Sequence, residues 1–201
     1  MITAEMLVEL ERKYAPTVGA APAVFSPHER TRTDSHNAGG DKMAGDRNGY
    51  AEVYARLLDG LDPWMVVELG VFQGVSMAMW CDLFPDSLVF GLDLEFGRFH
   101  ANSEALVSRG AFTKNKPMLR QWDAYGDDAE VLRDMDPIDL FVDDGPHTAD
   151  AIRNTLRLVG PLMNRGSVYV VEDFSGGEGL LRQQFPDAHI ICAGRLNAAL
   201  L

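Results

Sequence analysis

The sequence predicts an α/β fold, a Rossmann-like sandwich whose mostly parallel sheet closes in a C-terminal antiparallel hairpin. Three observations carry that expectation. From Met65 onward, short apolar runs alternate with stretches of helical period, the pattern of successive βαβ units. The first run, MVVELGVFQG, ends in a glycine turn at Gly70 and Gly74. Carboxylates then close or follow each run: Glu68, Asp93, Asp123, the pair Asp143 and Asp144, and the pair Glu172 and Asp173. In an open parallel sheet the carboxyl ends of the strands share one edge, and ligands bind there. Residues spread over a hundred positions are therefore expected in one crevice.

The elements follow in order. Met6, Leu7 and Leu10 recur at helical spacing, so residues 3–13 are expected to form a short amphipathic helix. Residues 14–48 show no period and carry Pro16, Pro22, Pro27 and the stretch HNAGGDKMAGDRNG. A segment of that length without regular structure is expected to be a cover over the site or part of an oligomer contact. The chain thus divides into an N-terminal helix and arm over 1–48 and a ligand-binding domain over 49–201. A basic run in the arm, HERTR at 28–32, is read as a solvated loop. A helix is expected over 50–61, packed on the sheet. Strands are predicted at 65–69, 88–94, 118–122, 138–143 and 167–172, with helices near 75–84, 99–109, 127–134 and 147–158. Pro146 suits the first turn of that last helix, and Gly160 with Pro161 suits its stop. A short helix near 178–185 precedes AHIICA and LNAALL, two apolar runs separated by Gly194 and Arg195 that fit a closing hairpin.

Composition narrows the function classes. Of 201 residues, 46% are apolar, 9% aromatic and 24% charged, which suits one soluble globular domain. No apolar run approaches the roughly 18 residues of a membrane span. The N-terminal MITAEMLVELERK is acidic and amphipathic, unlike a signal peptide, so the expected compartment is the cytoplasm. Cys81 and Cys192 have no metal-type spacing and are expected to be buried thiols. The formal charge of −12 argues against nucleic acid, whose phosphates are held by clustered Lys and Arg. It suits a protein that holds a cation.

Glycines at a strand end let the backbone turn tightly against a ligand, and the helix that follows offers free N–H groups. The spacing G-x-x-x-G departs from the G-x-G-x-x-G of dinucleotide sites, which favours a ligand without a pyrophosphate. Glu68 before the turn would attract a ligand cation. Asp93 lies where a carboxylate takes ribose hydroxyls, and Asp123 could accept from an exocyclic amine. An adenosine with a sulfonium or ammonium tail meets these demands. Strand-end glycines and acids also serve as turn and cap residues in any α/β fold, and Asp123 within DAYGDD could cap the next helix.

Asp143 and Asp144 leave one strand on opposite sides. Glu172 and Asp173 end the neighbouring strand if the sheet is wound in sequence. Carboxylates so close repel unless a cation sits among them. A hard divalent ion such as Mg2+ prefers oxygen ligands, and Asp144, Glu172 and Asp173 form the natural set. His147, three residues beyond Asp144, is the nearby side chain suited to accept a proton near neutral pH.

The turn VVELGVFQG, GLDLE at 91–95, IDLFVDDGPH at 138–147 and GSVYVVEDF at 166–174 together resemble the class I S-adenosylmethionine-dependent methyltransferases. Within them the chain is similar to the metal-dependent sugar O-methyltransferases of macrolide and rhamnosyl pathways, relatives of the cephalosporin-hydroxylase family. DKMAGDRNGYAEVY at 41–54 resembles the segment that precedes the fold there and helps close the cofactor site. The resemblance covers roughly residues 34–175. It implies that Glu68, Gly70, Asp93 and Asp123 hold S-adenosylmethionine with help from Tyr50 or Lys42, and Gly74 and Asp143 are included in that cofactor set. It further implies that Asp144, Glu172 and Asp173 bind Mg2+, and that His147, with Asp144, does the acid–base work. Pro146 stands where the motif usually has Ser. The implied acceptor is the hydroxyl of a small molecule, with a homo-oligomeric assembly. The alternative expectation is a non-catalytic cofactor-binding partner subunit of a hydroxylase-type tailoring enzyme; a nicotinamide oxidoreductase ranks last for want of the dinucleotide motif.

Overall fold

The computed structural model describes residues 1–15, 42–44 and 48–201. The basic run at 28–32 and most of the expected arm lie outside these residues. The N-terminal helix α1 spans Ala4–Tyr14, with the Thr3 hydroxyl accepting from the Met6 N–H at 3.3 Å as its cap. Helix α2 (Ala51–Leu57) follows, and then the alternation begins: β1 (Met65–Leu69), α3 (Val75–Leu83), β2 (Leu88–Asp93), α4 (Gly97–Ser108), β3 (Met118–Gln121), β4 (Ile138–Asp143), α5 (Ala149–Val159), β5 (Met163–Val171), α6 (Gly177–Gln184), β6 (His189–Ala193) and β7 (Leu196–Leu200).

One sheet of seven strands runs in the order β3-β2-β1-β4-β5-β7-β6. The pairs among β1 to β5 are parallel, while β7 inserts antiparallel between β5 and β6. The expected parallel sheet with a closing hairpin is therefore what the chain forms. Strand order reverses between β1 and β4, which makes their carboxyl ends the switch point where ligands settle in such sheets.

Strand alternation divides the core into two layers. Val66, Leu140, Val142, Val168 and Val170 face a cluster with α1 to α4. Val67, Leu69, Phe141, Tyr169 and Val171 face a second cluster with α5 and α6. The same parity continues past the last strand residues and decides which carboxylates can meet.

Four expectations need correction. The helix foreseen over 127–134 shrinks to a single 3-10 turn, Glu130–Leu132, because Asp123 and Asp128 side chains accept from the N–H groups of Tyr125 (2.9 Å) and Glu130 (3.0 Å) and fold the segment into turns. Helix α5 starts at Ala149, not at His147, since the Thr148 hydroxyl caps it by accepting from the Ala151 N–H at 3.3 Å. Pro146 and His147 thus precede the helix. Helix α5 stops at Gly160 as expected, but the strand expected over 167–172 begins earlier, at Met163, because a 3-10 turn, Gly160–Leu162, runs directly into β5. Cys81 is buried as expected, but Cys192 is exposed on β6, the edge strand.

Candidate active site

Gly70 leaves β1 with φ +96 between its two neighbours: its N–H donates to the Leu92 carbonyl of β2 at 2.8 Å, while on the other side the Asp144 N–H, just past β4, donates to the Leu69 carbonyl at 3.0 Å. Gly74, at φ +80, caps α3 with the Phe99 ring against it. Between them, Val71 and Phe72 donate backbone N–H groups to the Asp93 carboxylate at 2.8 and 3.1 Å, so Asp93 fixes the glycine turn from the next strand. A cavity at this turn is lined by Glu11, Lys42, Gly70, Gly74 and Asp144.

Parity puts Glu68, Asp144 and Glu172 on the face covered by α1 to α3. There they surround one ammonium: Lys42 Nζ stands 2.6 Å from Glu68, 3.1 Å from Glu172 and 3.3 Å from Asp144. Glu68, fully buried, also accepts from the Trp80 indole N–H at 3.0 Å. Glu172 accepts in addition from the Tyr54 hydroxyl. Burial disfavours the charged form of each group here. It raises the carboxyls of Glu172 and Asp144, which Lys42 pulls back down. Burial would likewise depress Lys42, but Glu172, Glu68 and Asp144 outweigh it and hold the ammonium well above its usual range.

Beyond Asp144 the chain turns outward. His147, at φ +54, and Asp173, at φ +53, both adopt the left-handed conformation, a cost that persists where surroundings dictate it and that clusters at functional sites. Ligating atoms of Asp144, His147 and Asp173 lie within 4.8 Å of one another. Among the described residues, His147 Nδ1 is a buried side-chain polar atom without a hydrogen-bond partner. Such an atom costs about 1–3 kcal/mol unless a ligand engages it. Two carboxylates with an uncommitted imidazole thus fit a divalent cation. Tyr50 and Arg195 hold Asp173 in place: the Tyr50 hydroxyl donates to its carboxylate at 2.6 Å, and the Arg195 guanidinium to its carbonyl at 2.8 Å. Burial first, and then Asp173, raises the Tyr50 phenol well above its ordinary value.

The expected residues are therefore only partly brought together. Lys42, Glu68, Gly70, Gly74 and Asp144 line or adjoin one cavity, and Tyr50, His147 and Asp173 lie beside it. Glu172, expected as a metal ligand, turns instead to Lys42 and Tyr54. Asp123 is exposed and caps its own turn. Asp143, expected with the cofactor residues, points to the opposite layer, where the Tyr169 hydroxyl donates to it at 3.1 Å. Sequence reasoning missed Glu11, Tyr54 and Arg195. Only Glu11 left a signal, an acid between Leu7 and Tyr14 on the buried stripe of α1.

Burial pushes the Asp143 carboxyl up to about 7, against the lowering effect of its bonds from Tyr169 and the Gly145 N–H. The folded state then binds a proton that the unfolded chain, near 3.8, has released. Stability is complete below pH 4, falls as pH rises toward 7 and stays low above it, by up to about 4 kcal/mol. Asp143→Asn keeps the acceptor for Tyr169 without the charge. Its melting temperature should exceed the wild type's at pH 8 and converge with it at pH 4; melting curves that run parallel across this range would contradict the account.

A sequence family described as a methyltransferase domain matches residues 67–174, from mid-β1 to the residue after Asp173. The chain belongs to this methyltransferase domain family. It is 33% identical over 105 residues to L-olivosyl-oleandolide 3-O-methyltransferase of Streptomyces antibioticus, a match covering 50% of this chain and 24% of that protein. It is 29% identical over 116 residues to demethylmacrocin O-methyltransferase of Streptomyces fradiae, covering 54% and 27%. The matched part therefore spans about a quarter of these relatives' length. Among solved structures, MycE methyltransferase of the mycinamycin biosynthetic pathway, in complex with Mg and SAH, superposes with a TM-score of 0.61 at 22% identity, covering 79% of this chain and 51% of that one. The O-methyltransferase TomG of Streptomyces achromogenes, in complex with SAM, gives 0.55 at 18%, covering 74% and 76%. These likenesses establish the methyltransferase fold. No described helix is long and apolar enough to cross a membrane.

Proposed function

We propose that the chain is the catalytic domain of an S-adenosylmethionine-dependent O-methyltransferase that uses Mg2+ and acts on a hydroxyl of a small molecule, a natural-product sugar or related metabolite. The observation that carries this reading is the convergence of Asp144, His147 and Asp173 beside the Gly70–Gly74 turn, in a member of the methyltransferase domain family. Relatives named for sugar and macrolide O-methylation, and a neighbour solved with Mg and SAH, support the choice of acceptor and metal.

Each side chain has a task in this scheme. The first turn of α3 leaves N–H groups without intrahelical partners for the polar end of the cofactor, and Glu68 and Lys42 stand beside them with opposite charges. Asp93 spends one oxygen on the glycine turn and offers the other, which also accepts from the Glu95 N–H at 3.4 Å, to a ribose hydroxyl, and Asp123, exposed after β3, would accept from the base. Asp144 and Asp173 offer the oxygen ligands that a hard cation prefers, with Tyr50 and Arg195 fixing Asp173. Bound there, Mg2+ would lower the pKa of an acceptor hydroxyl and orient it. His147 accepts the proton as the acceptor oxygen bonds to the methyl carbon and the carbon–sulfur bond breaks in line, leaving a neutral thioether.

Calorimetric titration of S-adenosylhomocysteine and Mg2+, separately and together, tests both cation sites without knowledge of the acceptor. Each ligand should bind, and a chelator should abolish the gain of one methyl mass on an accepted sugar. Failure of S-adenosylhomocysteine to bind would sink the cofactor assignment. Turnover that survives chelation would sink the metal assignment.

A further inference from the structure

Glu11 is a charged residue on the buried face of α1 that the scheme above does not use. It is 1% exposed and sits between Leu7 and Tyr14 on the stripe that packs α1 into the core. An apolar side chain would pack there as well, and a buried carboxylate costs several kcal/mol unless its oxygens are bonded. They are: the backbone N–H groups of Lys42, Met43 and Ala44 donate to it at 2.8, 2.9 and 3.1 Å. The segment they come from is neither helix nor strand. Its other described backbone tie is the Tyr50 N–H, which donates to the Lys42 carbonyl at 3.0 Å.

What Glu11 holds is therefore the root of Lys42. A lysine side chain gives up about 2 kcal/mol of rotamer entropy when fixed, so an ammonium placed among Glu68, Asp144 and Glu172 depends on a backbone that does not wander. Three donors converging on two oxygens set both the position and the direction of that backbone. Glu11 and Lys42 also line the same cavity as Gly70 and Gly74.

We propose that Glu11 is a positioning residue of the cofactor site. By gripping the backbone of residues 42–44 it places Lys42 at the cavity wall, where the ammonium fixes Glu68, Asp144 and Glu172 around the end of the cavity that receives the amino-acid part of the cofactor. This role rests on the cofactor reading above. The test is calorimetry of S-adenosylhomocysteine on the full chain, its Glu11→Gln, Glu11→Asp and Lys42→Met variants, and the Glu11→Gln/Lys42→Met double variant, each with a thermal melt.

Binding by the wild type decides the cofactor reading alone; its absence overturns that reading and this role together. Given wild-type binding, Glu11→Gln and Lys42→Met should each weaken affinity about tenfold, and the double variant should be no weaker than Lys42→Met, because Glu11 acts through Lys42. Glu11→Asp keeps charge and acceptors but draws the segment back by one methylene, so it should lose affinity even where its melting temperature stays near the wild type's. It replaces Glu11→Gln in the cycle if that variant does not fold. Losses that multiply in the double variant, or wild-type affinity in a folded Glu11 variant, would overturn the positioning role.

Discussion

Replacing His147 with asparagine is expected to slow methyl transfer by about 10²- to 10⁴-fold while leaving S-adenosylhomocysteine affinity and the melting temperature near wild-type values. Asparagine is the better probe than alanine because position 147 has φ +54, and asparagine tolerates the left-handed region that alanine resists. The size of the effect follows from where the acceptor's proton can go. Glu68 and Glu172 are committed to Lys42, and Asp173 accepts from Tyr50 at 2.6 Å. Asp144, with Lys42 at 3.3 Å, belongs to the proposed metal set. His147 has the most solvent-accessible side chain of the group, 35% open against 26% for Asp144 and 21% for Asp173, so an acceptor can reach its imidazole. Single-turnover assays read by acceptor mass, at saturating cofactor, separate chemistry from binding. A variant that keeps the wild-type rate would remove His147 from the chemistry.

What the sequence made legible was the part governed by short-range pattern. The run MVVEL before a glycine and the run IDLFVD before a second acid and a glycine became β1 and β4 at the predicted residues, since an apolar run bounded by turn formers leaves a strand little freedom in its ends. Two-residue alternation also foretold that Asp143 and Asp144 would part company. It gave no hint of which layer each would meet, and Asp143 proved to face Tyr169 rather than the cavity. Crowded carboxylates implied a cation among them, expected as a divalent ion. That the described cation is the chain's own Lys42 was not readable, because Lys42 stands 26 positions before Glu68 in a stretch without period and is placed by Glu11, a contact 31 positions long. The start of α5 departs from expectation for a local reason: Pro146 suits a first helical turn, but Thr148, with its hydroxyl, is the stronger cap. The two-residue shift from 147 to Ala149 turned His147 from a helix residue into a strained turn residue beside Asp173.

Among the described glycines, Gly70→Ala should be the most damaging change, destabilising the fold by about 3 kcal/mol and abolishing calorimetric binding of both S-adenosylhomocysteine and Mg2+. A Cβ on Gly70 would lie 2.1 Å from the Asp144 carbonyl oxygen and 2.7 Å from its carbon, at φ +96. The obstacle is backbone, so no rotamer can relieve it. β1 and β4 would have to part where the Asp144 N–H donates to the Leu69 carbonyl at 3.0 Å, and that movement carries Asp144 away from both Lys42 and Asp173. Conformational strain contributes about 1 kcal/mol and forced overpacking about 1–3 kcal/mol. At roughly 2–4 °C per kcal/mol for a domain of this size, the melting temperature should fall by about 6–12 °C. Gly60→Ala provides the control, since Gly60 has φ +75 but nothing within 4 Å of its would-be Cβ. It carries the strain without the clash and should lose only about 1 kcal/mol, with both ligands still bound. The gap between the two variants measures how closely the glycine turn and the DDGPH turn must approach for the proposed cofactor and metal sites to exist side by side. Should Gly70→Ala melt like Gly60→Ala and bind both ligands, that closeness is dispensable.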